Sequence, residues 1–178
     1  YLAASEESEP GYGWDYGFLS TIVNNPSATG RTLAQAILNS YSSFYSSYDT
    51  VTFSAIDLSY AQALADAIDN FGTVAMNSGV SGSNFKTLAS SCVRFGDGSS
   101  YYYTHDLYQF MYKVSTSSTM TSTVKSAAQA VMTAINNAMI DEWHSSDFNS
   151  KAYGIAMTMK PDTSTYSLLD ICVDTSWD

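Results

Sequence analysis

The residues best suited to chemistry lie near the start of the chain. Residues 4–16 read Ala-Ser-Glu-Glu-Ser-Glu-Pro-Gly-Tyr-Gly-Trp-Asp-Tyr, so carboxylates, aromatic rings and glycines follow a short apolar opening. A strand that leads into such a loop is a common way to deliver side chains to a binding site. The acids Glu6, Glu7, Glu9 and Asp15 are equally typical of a solvated surface loop. Residue types alone leave both interpretations open.

A second group of reactive residues surrounds the first of two cysteines. His105 lies beside Asp106 and thirteen positions after Cys92, which has the residue types of a cysteine–histidine–acid set. However, Cys92 falls on the apolar face of a predicted helix, where burial disfavours the thiolate. We therefore predict an inert thiol, and a disulfide with Cys172 stays open.

Metal and cofactor signals are weak. The cysteines have no C-x-x-C spacing, so a zinc site has no support. His144 with Asp141 and Glu142 has metal-ligand character, although a polar loop explains these residues equally well. The sequence requires no cofactor and leaves room for a structural or activating calcium ion.

Composition limits the classes of partner. The chain has 178 residues, 45% of them hydrophobic, which is enough for the core of one domain. A net charge of -10 with only 7 Lys and Arg argues against nucleic acid and favours basic partners. No apolar run approaches the roughly 20 residues that span a bilayer. Charged residues are few beside Ser, Thr, Asn and Tyr, a balance common in exported bacterial proteins, so we expect a secreted or cell-surface protein whose export signal belongs to a longer precursor.

Alternating strands and helices must position these residues. A strand is expected at 1–4, a helix from Thr29 and a strand at 50–56, followed by a helix that Asp57 or Ser59 caps. Shorter amphipathic helices are predicted at 85–93 and 107–114, the second with Asp106 near its start. The longest helix follows residue 119, residues 141–150 are expected to form a loop, and 152–159 a buried strand that Pro161 ends.

Four stretches resemble, in the same order, the clostripain family of cysteine peptidases. They are the opening loop, Leu38–Tyr41 with the Ser-Ala-Ile-Asp-Leu run at 54–58, Lys151–Ala156 before Pro161, and the Asp-Thr-x-Trp signature within the tail at 166–177. Ala156 and Met157 replace the Ser and Ile that the family usually carries.

This resemblance implies a caspase-like α/β fold, in which helices flank a central sheet and the active site lies at the carboxyl ends of parallel strands. Residues 1–178 would form the C-terminal, downstream portion of one such domain. The family's histidine and nucleophilic cysteine lie upstream of the opening loop, so no catalytic residue is expected in this chain, which should be inert by itself. The upstream portion of the same protein is the implied partner.

Specificity also follows from the resemblance. The family cleaves after Arg or Lys, and the residues implied to bind substrate are Ser5, Glu6, Glu7, Trp14 and Asp15. Caspases have a comparable loop whose arginine reads an acidic side chain; here Asp15 reverses that charge and suits a bidentate contact with arginine. The alternative is a clostripain-like module without catalysis that binds basic peptides or surface partners.

Overall fold

The computed structural model describes residues 1–48, 50–96 and 104–159. Within them, the strands are β1 Leu2–Ala4, β2 Thr52–Ile56, β3 Arg94–Phe95, β4 Thr104–Asp106, β5 Met139–His144 and β6 Ala156–Thr158. The helices are α1 Leu19–Asn24, α2 Gly30–Phe44, α3 Ala61–Asn77, α4 Gly82–Ser90, α5 Leu107–Thr116 and α6 Ser122–Ala138. The tail motif at 166–177, Pro161 and Cys172 lie outside the described residues.

One sheet has the strand order β1-β2-β5. β2 is buried in the middle, and its side chains alternate between the two faces. Phe53 points to the α2 side, where its ring stacks on Tyr41 with centroids 4.2 Å apart. Thr52 and Ser54 point to the other side, where they are almost fully buried. β2 therefore separates an apolar layer from a polar one.

The second sheet has the order β3-β4-β6 and adjoins a helical layer. α5 begins directly after β4, and α6 packs against both α3 and α5. Their apolar faces form the larger core around Met111, Val124, Val131 and Ile135, each with no more than 1% of its surface exposed. Among the described residues, no helix combines the length and apolarity needed to cross a membrane.

These elements confirm the predicted α/β class with helices flanking the sheets. Thr29 caps α2 by accepting from Thr32 N–H, and Asp106 caps α5 by accepting from Gln109 N–H. Every strand pair within the described ranges is antiparallel, so the parallel strands implied by the resemblance are not among them.

The loop predicted at 141–150 was wrong over its first four residues. They belong to β5, which pairs with β2 so that Phe53 faces Trp143 and Ser54 faces Glu142. Ala55 pairs with Asp141 whereas Ile56 pairs with Met139, so Ile140 is the extra residue of a bulge. The bulge interrupts the alternation of side chains, which removed the strand signal from the sequence.

Candidate functional site

The end of β1 delivers Ser5, Glu6 and Glu7 onto one side chain of β2. The Thr52 hydroxyl lies 3.0 Å from the Ser5 hydroxyl and accepts the backbone N–H groups of Glu6 and Glu7 at 3.0 and 3.2 Å. The Glu7 carboxylate turns back to accept Ser8 N–H at 2.7 Å and Gly96 N–H at 2.9 Å. Backbone donors therefore already engage one oxygen of this carboxylate, Oε1.

The Glu6 side chain reaches in the other direction, into the space between the two sheets. Its Oε2 accepts the backbone N–H of Gly154 at 3.0 Å. Its carboxyl group also lies beside that of Asp106, close enough for the two groups to interact. Asp106 is fully buried, and its two oxygens accept the N–H groups of Gln109 at 2.5 Å and Tyr153 at 2.6 Å.

Two buried carboxyl groups in contact cannot both be ionised without a large electrostatic cost. Burial, and then the charge of Asp106, raise the pKa of Glu6 from 4.5 to about 9. Burial raises the pKa of Asp106 from 3.8 to about 6, although the backbone hydrogen bond from Gln109 opposes the increase. As a coupled pair, the two groups hold one proton between these values.

Gly154 connects this pair to the Ser-Ala-Ile-Asp-Leu run that begins on β2. Its carbonyl accepts the Ser54 hydroxyl at 2.8 Å while its N–H binds Glu6. Its φ of +91° lies in the region that favours glycine, and a Cβ here would lie 2.6 Å from Met139 Cε. Three of the four stretches that carry the family resemblance therefore meet at one point.

Trp14 and Asp15 belong to a second group, on the α2 side of the sheet. The Trp14 ring packs edge-on against Phe53 at 5.4 Å, and its indole N–H donates to Glu9 at 2.6 Å. Asp15 is exposed; it accepts the Ser40 hydroxyl at 2.7 Å and Gly17 N–H at 3.2 Å.

The loop that carries Trp14 and Asp15 is held in a defined shape. Gly13 has a φ of +75°, and its N–H closes a turn onto the Pro10 carbonyl at 3.1 Å. The Gly13 carbonyl accepts the buried Tyr45 hydroxyl at 2.5 Å. The Asp15 carboxylate is thus exposed to solvent on a turn. Ser40 of α2 and Tyr45, the residue after α2, support this turn through hydrogen bonds from their hydroxyl groups.

The structure divides the five predicted substrate-binding residues between the two sides of β2. Ser5, Glu6 and Glu7 gather around Thr52, whereas Trp14 and Asp15 lie on the Phe53 side. They do not form one pocket, and their assignment to substrate binding stays a prediction. In this arrangement, Asp15 is the acid of the five whose carboxylate is exposed and has no buried partner.

The other reactive residues are placed in structural roles. Cys92 is a buried, free cysteine; burial raises its pKa to about 11, and its thiol points to the Leu88 carbonyl. The His105 ring contacts the Val93 carbonyl through Nδ1 at 2.9 Å. These contacts support the prediction that Cys92 is not a nucleophile.

The group at His144 also has internal partners. His144 Nδ1 lies 2.8 Å from Glu142 Oε2, and Asp141 accepts the Gln35 side-chain amide at 2.6 Å on the opposite face of β5. Within the part of the chain that the structure describes, no cluster of three or more His, Cys, Asp or Glu is arranged to hold a metal ion.

Sequence reasoning missed the contact between Glu6 and Asp106. Asp106 was predicted as a helix cap, a role that it has, and was weighed as the acid of a set with Cys92 and His105. Neither signal carries information on a residue one hundred positions away. Gly154 lies in the Lys151–Ala156 stretch that carries the resemblance, but the sequence alone does not explain why a glycine is needed there. The structure explains it by the close approach of Met139 and Ser54.

Comparison with known proteins gives one assignment. The model of the clostripain family matches residues 1–170. No curated protein matches the chain.

Proposed function

The chain belongs to the clostripain family, and we propose that it is the substrate-recognition and scaffold portion of a cysteine endopeptidase that cleaves after Arg or Lys. In such an enzyme a thiolate attacks the peptide carbonyl, a histidine handles the proton, and water hydrolyses the acyl-enzyme. The proposal assigns that cysteine and histidine to the upstream portion of the same protein.

The observation that carries the specificity proposal is the state of the Asp15 carboxylate. Glu6 is half-buried and faces Asp106, and Glu7 is half-buried with its Oε1 accepting two backbone N–H groups, so both carboxylates are less open to a cationic ligand than that of Asp15. Asp15 is exposed on a supported turn beside Trp14. An arginine side chain could replace solvent at this carboxylate with charge-assisted hydrogen bonds, and its flat guanidinium could lie against the Trp14 ring.

Two observations support the scaffold proposal. First, among the described residues β1 pairs with β2 alone, so its other edge is free to receive an upstream strand. Second, Cys92 and His105 are directed to separate backbone carbonyls and form no dyad. These observations fit a chain that depends on an upstream portion for catalysis, and we extend the proposal to a secreted or cell-surface bacterial protein.

The absence of a dyad from the described residues equally favours a second candidate, a family member without catalysis that binds basic peptides. The sequence upstream of this chain distinguishes the two. A His-Gly strand end and an Asp-Ala-Cys strand end support the peptidase, and their replacement supports the binding module.

The specificity proposal is tested with Asp15→Asn in the intact enzyme. Hydrogen bonds to a charged group are worth about 1.5–3 kcal/mol, so the kcat/KM ratio for Arg over a neutral residue should fall by about ten- to 150-fold. Asp66→Asn is the control, because it removes the same charge from an exposed helix position where the carboxylate contacts Gln62.

The control should keep the wild-type ratio, as should Glu7→Gln. If Asp15→Asn also keeps it, the acidic determinant lies elsewhere in the enzyme and this assignment is wrong. If the intact protein has no turnover yet binds Arg-containing peptides, with weaker binding in Asp15→Asn, the binding module is correct.

A further inference from the structure

A buried carboxyl pair joins the acidic loop to the second sheet. Glu6 lies at the start of the loop, and Asp106 is the last residue of β4 and the cap of α5. The backbone N–H groups of Tyr153 and Gly154, which precede β6, bind one carboxyl group each. The pair therefore ties three segments that are distant in sequence.

If both groups are ionised, one buried oxygen of the pair has no hydrogen-bond donor. Glu6 Oε1 is buried and has no hydrogen-bond partner, and the neighbouring Asp106 carboxyl has no hydrogen to donate when it is ionised. Both Asp106 oxygens already accept backbone donors. A proton on Glu6 Oε1 supplies the donor, because it turns two facing acceptors into a donor and an acceptor.

We infer that Glu6 and Asp106 share one proton, and that this pair fastens the start of the acidic loop to the second sheet and releases it when the proton is lost. The inference concerns the stability of the fold and the placement of the loop, and it goes beyond the proposed specificity.

The acidic groups around the pair act in the same direction. From β5, Glu142 faces both carboxyl groups and raises the pKa of each, and His144 is bonded to that same glutamate. Tyr153 lies in the segment before β6. Burial, and then the charge of Asp106, raise the pKa of Tyr153. The charge of Asp106 also raises the pKa of the Cys92 thiol, whereas the charge of Lys113 lowers it. The negative surroundings favour retention of the proton.

The pair makes stability depend on pH in a defined direction. Glu6 keeps its proton in the folded state up to about pH 9, whereas the unfolded chain loses it near pH 4.5. The folded state then binds more protons, so stability falls as pH rises through this window. Asp106 adds to the decrease in the lower part of the window, between 3.8 and about 6.

The test compares Glu6→Gln with wild type in urea unfolding of the purified protein at pH values between 7 and 9. The glutamine amide can donate to Asp106 and accept from Gly154 without titrating. Wild type should lose up to about tenfold in the folding equilibrium constant per pH unit relative to the variant.

Glu7→Gln is the matched control, since it removes the adjacent acid but leaves the pair intact, and its pH profile should follow wild type. In parallel, carbon NMR of the Glu6 carboxyl in wild type reports protonation directly and does not depend on whether the variant folds. The carbon should keep the protonated shift at pH 7.

An ionised Glu6 carbon at pH 7 overturns the inference, as does a Glu6→Gln profile parallel to that of wild type. Neither measurement uses a substrate, so this failure is distinct from a failure of the Asp15 experiment.

Discussion

Replacing Gly154 with alanine tests the point where the family stretches meet. The new Cβ would lie 2.6 Å from Met139 Cε, 2.9 Å from Ser54 Cβ and 3.2 Å from Met139 Sδ. The Met139 thioether can move aside, but Ser54 Cβ is fixed on the central strand of its sheet. Moving residue 154 away would break the contacts of its carbonyl with Ser54 and of its N–H with Glu6.

The expected cost has two parts. A side chain in the left-handed region costs about 1–2 kcal/mol, and overpacking in a dense interior costs about 1–3 kcal/mol. The sum, about 2–5 kcal/mol, is a large part of the total stability of about 5–15 kcal/mol expected for a domain. Gly154→Ala should therefore lower the urea midpoint strongly or prevent folding.

Gly72→Ala is the matched control. Gly72 lies within α3, and a Cβ there would meet nothing within 4 Å. Alanine in a helix interior should stabilise the protein by about 0.5–1 kcal/mol, so the same substitution has opposite signs at the two sites. If Gly154→Ala unfolds within about 0.5 kcal/mol of wild type, the close approach to Ser54 does not constrain this position and the reasoning fails.

Two further predictions concern the loop and the buried thiol. Tyr45→Phe removes the hydroxyl that donates to the Gly13 carbonyl and should destabilise the protein by about 0.5–1.5 kcal/mol in urea unfolding; an unchanged midpoint would show that this bond does not support the turn. In a Cys172→Ser background, Cys92 should resist a thiol reagent at neutral pH until the protein is unfolded, because burial raises its pKa to about 11; rapid labelling of the folded protein would contradict the structural role given to Cys92.

Local signals predicted much of the fold. The apolar spacing and the cap residues Thr29 and Asp106 located α2 and α5, because a helix start depends on side chains within three positions. The strand at 139–144 was missed because the Ile140 bulge shifts the side-chain alternation. The pairing that places Glu142 opposite Ser54 is a long-range property, and no local pattern contains it.

The candidate site was predictable as a stretch of sequence but not as a geometry. Glu6 and Glu7 are adjacent and identical in type, yet Glu6 turns to a buried carboxyl and Glu7 to backbone donors near β3. The two residues differ in the partners that lie within reach of their side chains. The tertiary structure sets those partners, since β2 places the Thr52 hydroxyl where it accepts the backbone N–H groups of both residues.

The acids of the opening loop differ in how open their carboxylates are to a cationic substrate. Glu6 faces the buried Asp106 carboxyl, Glu7 Oε1 accepts two backbone donors and Glu9 Oε2 accepts the Trp14 indole. Asp15 also has internal donors, but they are an exposed hydroxyl contact and a local turn bond, which a ligand can supplement at the open side of the carboxylate. The same loop thus uses some of its acids to hold its shape and presents another to solvent. For this reason, substitution of Asp15 should change specificity, whereas substitution of Glu6 should change how stability depends on pH.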